Sequence, residues 1–99
     1  MKIEDEIERL EREKNNIRFD YLARVCQENF GNARFKGSHH IFKTPWPGDP
    51  RINLQQDKKD KGKAKPYQVK QVIAALRKLH EMELSRERGD AYYASEEDL

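Results

Sequence analysis

A β-hairpin is predicted at the stretch Arg34-Phe35-Lys36-Gly37-Ser38-His39-His40-Ile41-Phe42. Apolar and polar side chains alternate on either side of Gly37-Ser38, and a period of two is typical of strands. The Gly-Ser pair suits the tight turn of a short hairpin loop, because glycine adopts backbone conformations that other residues avoid. We therefore expect one strand at 34–36 and a second from His39 to Thr44.

A third strand is predicted at residues 51–55, where two apolar residues alternate with polar ones. The intervening segment 45–50, Pro-Trp-Pro-Gly-Asp-Pro, has three prolines, which exclude both a helix and a central strand. The strands follow one another along the chain without a helix between them. This order predicts a three-stranded antiparallel meander.

One helix is predicted before the three strands in the chain, and another after them. Residues 20–30 place four apolar side chains on one helical face, and Asp20 is the expected N-cap. Residues 66–88 carry a second apolar stripe and begin with Pro66, a residue type favoured at the first helical position. An antiparallel sheet with two helices on one face is an α+β sandwich whose other face is free.

The two chain ends are predicted to lie outside this domain, which would span residues 16–88. Residues 1–15 are expected to contain an acidic helix with a narrow apolar stripe at Ile3, Ile7 and Leu10. That stripe could contact a partner or a second copy of the chain. Residues 89–99 are rich in acidic groups and are expected to form a disordered tail.

Composition bounds the class of protein. The length of 99 residues allows one small domain, and 35% hydrophobic against 38% charged residues allows only a small core. The single cysteine cannot form an internal disulfide, which fits a reducing compartment. No apolar run approaches the roughly 20 residues of a membrane span, and the acidic start lacks a signal-peptide core. We therefore expect a cytoplasmic protein without membrane contact.

The formal net charge of +2 conceals an uneven distribution. Residues 1–14 carry four basic and six acidic side chains, and residues 81–99 carry two basic and seven acidic ones. Residues 15–80 carry fourteen basic and five acidic side chains. A basic centre between acidic ends favours a partner rich in phosphate, and RNA is the first candidate.

Two adjacent histidines open the second predicted strand, and alternation places them on opposite faces. His39 falls on the free face, where it is the candidate catalytic acid or base because histidine exchanges protons near neutral pH. The alternative for His39 is a surface histidine without a role. His40 is expected beneath the helices as a partly buried, hydrogen-bonded side chain. Since the two side chains diverge and no zinc-type spacing surrounds them, we expect neither a metal site nor a cofactor.

Basic side chains of the sheet and of the Lys-rich loop that follows it, residues 57–65, are expected to bind RNA. Lysine and arginine bind phosphate independently of base sequence, and a glycine lets a phosphate approach the backbone closely. For any single lysine, the alternative is a solvated charged loop. The candidate substrate-binding residues are Lys36, Gly37, Ser38, Lys43, Arg51, Lys58, Lys59, Lys61, Lys63 and Lys65.

The aromatic residues are expected to serve mainly in packing. Trp46, flanked by prolines, could stack on an RNA base or fold back to cover a sheet edge, and the second role is favoured. Apolar aromatic and thiol side chains are most often buried. The other predicted core residues of this kind are Phe19, Phe30, Phe35, Phe42 and Cys26.

The hairpin motif and the order of elements resemble the HicA-type toxins of bacterial toxin–antitoxin modules. The resemblance is carried by residues 35–42, with Gly-Ser-His at the turn, and by the basic segment 63–76 that enters the last helix. It covers about residues 17–80, and the first helix and the residues after His80 have no counterpart in the family pattern.

This resemblance implies a double-stranded-RNA-binding-like α-β-β-β-α fold and metal-independent cleavage of mRNA. It also implies a HicB-type antitoxin as the inhibitory partner. The functional histidine of the family directly follows Gly-Ser, and that position here is His39.

Two other functions stay open from the residues themselves. A non-catalytic RNA-binding domain of the same fold would share the basic surface without needing a histidine. An interaction protein would instead use the acidic end helices to regulate a partner.

Overall fold

Three helices and three strands form the described part of the chain, residues 2–56, 58–60 and 62–89 of a computed structural model. Their order is α1 (Ile3–Glu13), α2 (Phe19–Phe30), β1 (Arg34–Lys36), β2 (His39–Phe42), β3 (Ile52–Leu54) and α3 (Pro66–Arg88). The predicted α+β class is confirmed, and so is the extent of the last helix. The expected acidic tail, apart from Gly89, and Lys61 lie outside the described residues.

The sheet has the order β1-β2-β3 with both pairs antiparallel, which confirms the predicted meander. Lys36 pairs with His39 across the hairpin, so Gly37 and Ser38 form a two-residue loop. Gly37 has φ of 60°, whereas no described non-glycine residue has positive φ. A positive φ at the first loop position alone is the signature of a type II′ turn, which matches the right-handed twist of the strands.

Alternation along the strands separates a buried face of the sheet from an exposed one. Phe42, Ile52 and Leu54 are buried with 5%, 1% and 0% exposure, while Asn53 between the last two is exposed. Helices α2 and α3 pack against the strands on this buried side. The opposite side, called the open face below, carries the exposed Arg34, Lys36 and Asn53 and is left to solvent.

Helix α2 starts one residue before the predicted position, and the expected Asp20 N-cap is wrong. Arg18 is the N-cap and makes no side-chain capping bond. The backbone N–H of Phe19 instead donates to the carbonyl of Gly62 at 3.0 Å. Backbone pairing with the loop therefore satisfies one of the first N–H groups of the helix, which have no partner within it, at the buried Phe19.

Helix α1 packs against α3 and joins the same core as the rest of the chain. Leu10 is fully buried, and Ile3 and Ile7 pack against the core with partial exposure. Polar contacts tie the helix down further, since Arg77 of α3 donates to Glu11 and Tyr21 of α2 donates to Glu6. The apolar stripe considered for a partner is thus used within the chain.

Trp46 folds back into the core, which confirms the folded-back position predicted for it, whereas the covering of a sheet edge stays a prediction. Its exposure is 7%, its indole N–H donates to the carbonyl of Pro50 at 3.0 Å, and its ring meets Phe30 edge-on with centroids 6.0 Å apart. Lys78 of α3 lies over the ring at 5.3 Å. A ring covered in this way is not available to stack on a base.

The second half of the Lys-rich loop is fixed to the segment that joins α1 and α2. Gly62 accepts the bond from Phe19 described above, and the N–H of Ala64 donates to the carbonyl of Ile17 at 2.8 Å. Ala64 is 5% exposed, so the loop end is anchored by packing as well. None of the described helices combines the length and apolar composition needed to cross a bilayer.

Candidate nucleic-acid interface

The open face carries its strand cations on β1, while β2 and β3 contribute the neutral side chains Ile41 and Asn53 together with His39. The strand register aligns Lys36 with His39 in one row, and Arg34, Ile41 and Asn53 in the next. None of the ten strand residues is acidic, so no carboxylate of the strands offsets these cations. A surface of this composition attracts polyanions and concentrates them locally.

His39 lies half-exposed on this face, and a neighbour on the next strand orients it. Its Nδ1 atom is 2.9 Å from Oδ1 of Asn53. With Asn53 as acceptor, Nδ1 carries the proton of the neutral ring and Nε2 carries the lone pair. No described residue hydrogen-bonds Nε2. Nε2 is therefore the nitrogen available to accept a proton from a bound molecule.

The turn beside His39 is tied to the end of β3. The side-chain amide of Gln55 donates to Oγ of Ser38 at 2.8 Å, and the backbone N–H of Gln55 donates to Oε1 of Gln68 at 3.0 Å. Gln68 is 3% exposed at the start of α3, so it provides a rigid anchor. The turn, the end of β3 and the start of α3 are thus held together by two glutamines.

Sequence reasoning assigned no role to Asn53, Gln55 or Gln68. Alternation did place Asn53 and Gln55 on the outward face of β3, and that was the available signal. The partners of these side chains are 14 and 17 residues away in the chain, so only the strand register reveals them.

The predicted basic residues fall at two ends of the sheet. Lys36 adjoins the turn, and the Lys-rich loop leaves from the same end, since it follows Gln55. Lys43 and Arg51 are exposed at the other end, after β2 and before β3. The described lysines of the loop are Lys58, Lys59, Lys63 and Lys65, of which the first three are exposed and Lys65 is half-buried.

His40 lies on the helix side of the sheet, as predicted, but its expected hydrogen bond is not formed to any described residue. The ring instead meets Phe19 and Phe35 edge-on, with centroid distances of 5.1 and 4.7 Å. Desolvation in this aromatic setting lowers the pKa of His40 from its usual 6.5. The residue therefore serves packing as a neutral ring.

Phe35 is not a core residue, so that prediction is wrong. Its exposure is 66%, whereas Phe19 and Phe42 are buried and Phe30 is half-buried, as expected. Phe35 belongs to β1, an edge strand of the sheet, and its ring meets His40 edge-on. The alternation of the strand was right, but the helices do not extend over the edge.

The remaining histidine and the thiol are away from the open face. His80 Nε2 lies 3.7 Å from a carboxylate oxygen of Glu4, where it joins α3 to α1. Cys26 is fully buried, and burial raises the pKa of its thiol to about 12. Within the described ranges, no three His, Cys, Asp or Glu side chains are grouped so that they could hold a metal ion.

Comparison of the chain with protein families, with characterised proteins and with solved structures found no match.

Proposed function

We propose that this chain is an endoribonuclease that binds RNA across the open face and uses His39 as the proton-transfer group. The observation that carries the proposal is the placement of His39. It is half-exposed, held by Asn53 through Nδ1 with Nε2 bonded to no described residue, and set beside Lys36 in a sheet whose strands carry no carboxylate. The geometry suits a general base acting on a bound polyanion.

The proposed cleavage uses the ribose itself as nucleophile. His39 Nε2 takes the proton of a 2′-hydroxyl, the 2′-oxygen forms a bond to the adjacent phosphorus, and the bond from phosphorus to the 5′-oxygen breaks. The leaving 5′-oxygen takes a proton from water or from a lysine ammonium. The products are a 2′,3′-cyclic phosphate and a 5′-hydroxyl, and nearby lysines stabilise the charge that builds on the phosphate oxygens.

The basic residues are proposed to position the strand. Lys36 adjoins the turn, and the lysines of the following loop extend the positive surface from the same end of the sheet. Lys43 and Arg51 would contact phosphates further along the strand. Such contacts supply affinity without base specificity, so this part of the proposal predicts strong dependence on salt.

The biological role that follows is that of a HicA-like toxin in a type II toxin–antitoxin module. A HicB-like antitoxin would cover His39 and place carboxylates against the cations of the open face, which excludes RNA by steric overlap and by charge. The absence of acidic residues from the strands supports a partner of that charge. The cytoplasm is the proposed compartment, because RNA is accessible there and the lone thiol of Cys26 stays reduced.

The deciding experiment incubates the purified chain with RNA in EDTA and follows cleavage and product ends. We expect cyclic phosphate ends, resistance of a 2′-deoxy strand, and a rate lower by about 10²–10⁴-fold in His39→Ala. His80→Ala is the matched control and should cleave at the unmodified rate, because His80 faces α1. RNA that is retarded but left intact would instead identify a non-catalytic binding domain. RNA that is neither bound nor cut would overturn the proposal altogether.

A further inference from the structure

Phe35 presents a large apolar ring to solvent beside the candidate catalytic turn. At 66% it has the highest exposure of any large hydrophobic side chain in the described ranges, ahead of Tyr67 at 57% and Leu84 at 38%. It stands one residue before Lys36, which pairs directly with His39. The exposed ring offers a flat apolar surface for stacking at this position.

The ring is also braced from behind. Phe35 meets His40 edge-on with centroids 4.7 Å apart, and His40 in turn meets the buried Phe19 at 5.1 Å. This row connects the exposed ring to the core through a histidine that burial keeps neutral. The ring is thus held in place on one side while it stays open on the other, which lowers the ordering cost for anything that stacks on it.

The charges around the ring identify the kind of ligand. Arg34 and Lys36 flank Phe35 in the strand, and both are exposed on the open face. A strand with an aromatic side chain on one face and cations on the other offers a stacking surface and phosphate contacts at the same edge. Single-stranded nucleic acid binds through this combination of base stacking and backbone neutralisation.

We propose that Phe35 stacks on an unpaired base of the RNA, and that the RNA strand crosses the β1 edge on its way to His39. The inference rests on the proposed binding of RNA to the open face, and it adds that the substrate is single-stranded there. Because β1 is the outer strand, only its own width separates the ring from the open face. Bases within a duplex are already stacked on both sides and would not cover the ring.

A second copy of the chain is the main rival occupant of this edge. Strand pairing through β1 would involve only three residues, of which two are cationic, and like charges on a short edge strand oppose such pairing. An RNA strand meets the same two charges favourably. The base is therefore the occupant that the surroundings of Phe35 favour.

The test measures binding of a short single-stranded oligoadenylate and of an abasic ribose-phosphate strand of equal length. All proteins carry His39→Ala, so that no strand is cleaved. Phe35→Ala should bind oligoadenylate about tenfold or more weakly and should bind the abasic strand unchanged. Phe35→Trp should bind like the parent. Leu84→Ala, which removes an exposed apolar side chain on α3, is the matched control and should have no effect.

The outcomes separate this inference from the proposed function. If the parent binds both strands equally well, and Phe35→Ala does the same, RNA binding stands and stacking is overturned. If the parent binds neither strand, both proposals are overturned. A change of sedimentation from dimer to monomer in Phe35→Ala, without a change in RNA affinity, would assign the ring to self-association instead. Equal binding of the two RNA strands by the parent overturns stacking without any Phe35 variant, so this outcome can be reached even if a variant fails to fold.

Discussion

His39 of β2 and Asn53 of β3 are diagonal neighbours in the sheet, with 2.9 Å between Nδ1 and the amide oxygen. This bond fixes both the ring orientation and the proton position in the neutral imidazole. In the proposed mechanism Asn53 is thus a positioning residue, because it would act on the substrate only through His39.

Removing the amide should slow the chemistry and spare the binding of RNA. We expect Asn53→Ala to lower kcat by on the order of tenfold with little change in KM, because the free imidazole samples other orientations and the other tautomer. Asn53→Asp should restore orientation but favour the charged ring, so the rate should rise only at higher pH. Steady-state cleavage across pH checks both variants. An unchanged kcat with a raised KM would instead place Asn53 in substrate binding.

Salt dependence should show which cations bind the RNA backbone. Removing one ion pair between a lysine and a phosphate of a single strand reduces the slope of log affinity against log salt by about 0.7. We expect this reduction for Lys36→Ala, beside the turn, and for Lys63→Ala, an exposed lysine of the loop that follows β3. Lys2→Ala, an exposed lysine at the start of α1, should leave the slope unchanged. Equal effects at all three positions would mean that only net charge matters.

The stability of the fold should fall on mild acidification because of His40. Burial lowers the pKa of His40 below the 6.5 of an ordinary histidine, so the unfolded chain binds this proton more readily than the folded chain. The stabilisation is therefore fully present above about pH 6.5 and decreases as the pH falls toward the folded-state value. Urea unfolding at about pH 7.5 and about pH 5.5 measures the loss.

The control for this effect is His40→Phe, which keeps an aromatic ring between Phe19 and Phe35. Its free energy of unfolding should depend less on pH than that of the unmodified chain over the same interval. Comparing the two proteins isolates His40, because His39 and His80 are present in both. The same acid dependence in both proteins would show that another group is responsible.

Helix α1 should unfold together with the rest of the domain. Leu10 is fully buried where α1 joins the core, so Leu10→Ala should lower the free energy of unfolding by about 2–5 kcal/mol. Ile3→Ala, at a partly buried position near the helix start, should cost less. Urea unfolding followed by the fluorescence of Trp46, the one tryptophan, makes the measurement. A helix that frays independently would instead give an unchanged Trp46 transition.

Local patterns in the sequence were sufficient to predict the elements of this fold. The period of two on either side of Gly37-Ser38 predicted the hairpin, and Pro66 with the apolar stripe that follows it predicted the long helix α3. These features depend on residues adjacent in the chain, where steric and hydrogen-bonding preferences act directly. The α+β class followed from their order alone.

The candidate site depends on distances along the chain that local patterns do not reach. Alternation placed His39 and Asn53 on the same outward face, but the 14-residue separation leaves the strand register undetermined until the sheet is seen. Phe35 was misplaced for a related reason. Alternation gives the side of the sheet to which a residue belongs, whereas burial depends on how far a helix extends over that side. The start of α2 also depends on a residue far away in the chain, because the carbonyl of Gly62 accepts the hydrogen bond of the Phe19 N–H.

The burial of Cys26 makes this thiol an intrinsic probe of local unfolding. As the one cysteine, with no exposed surface and a pKa raised to about 12, it is shielded from alkylating reagents while α2 stays in place. A reagent can then alkylate Cys26 in the native protein only after α2 has moved away from the core. The rate of Cys26 alkylation therefore reports how often this part of the domain opens, and no added label is needed.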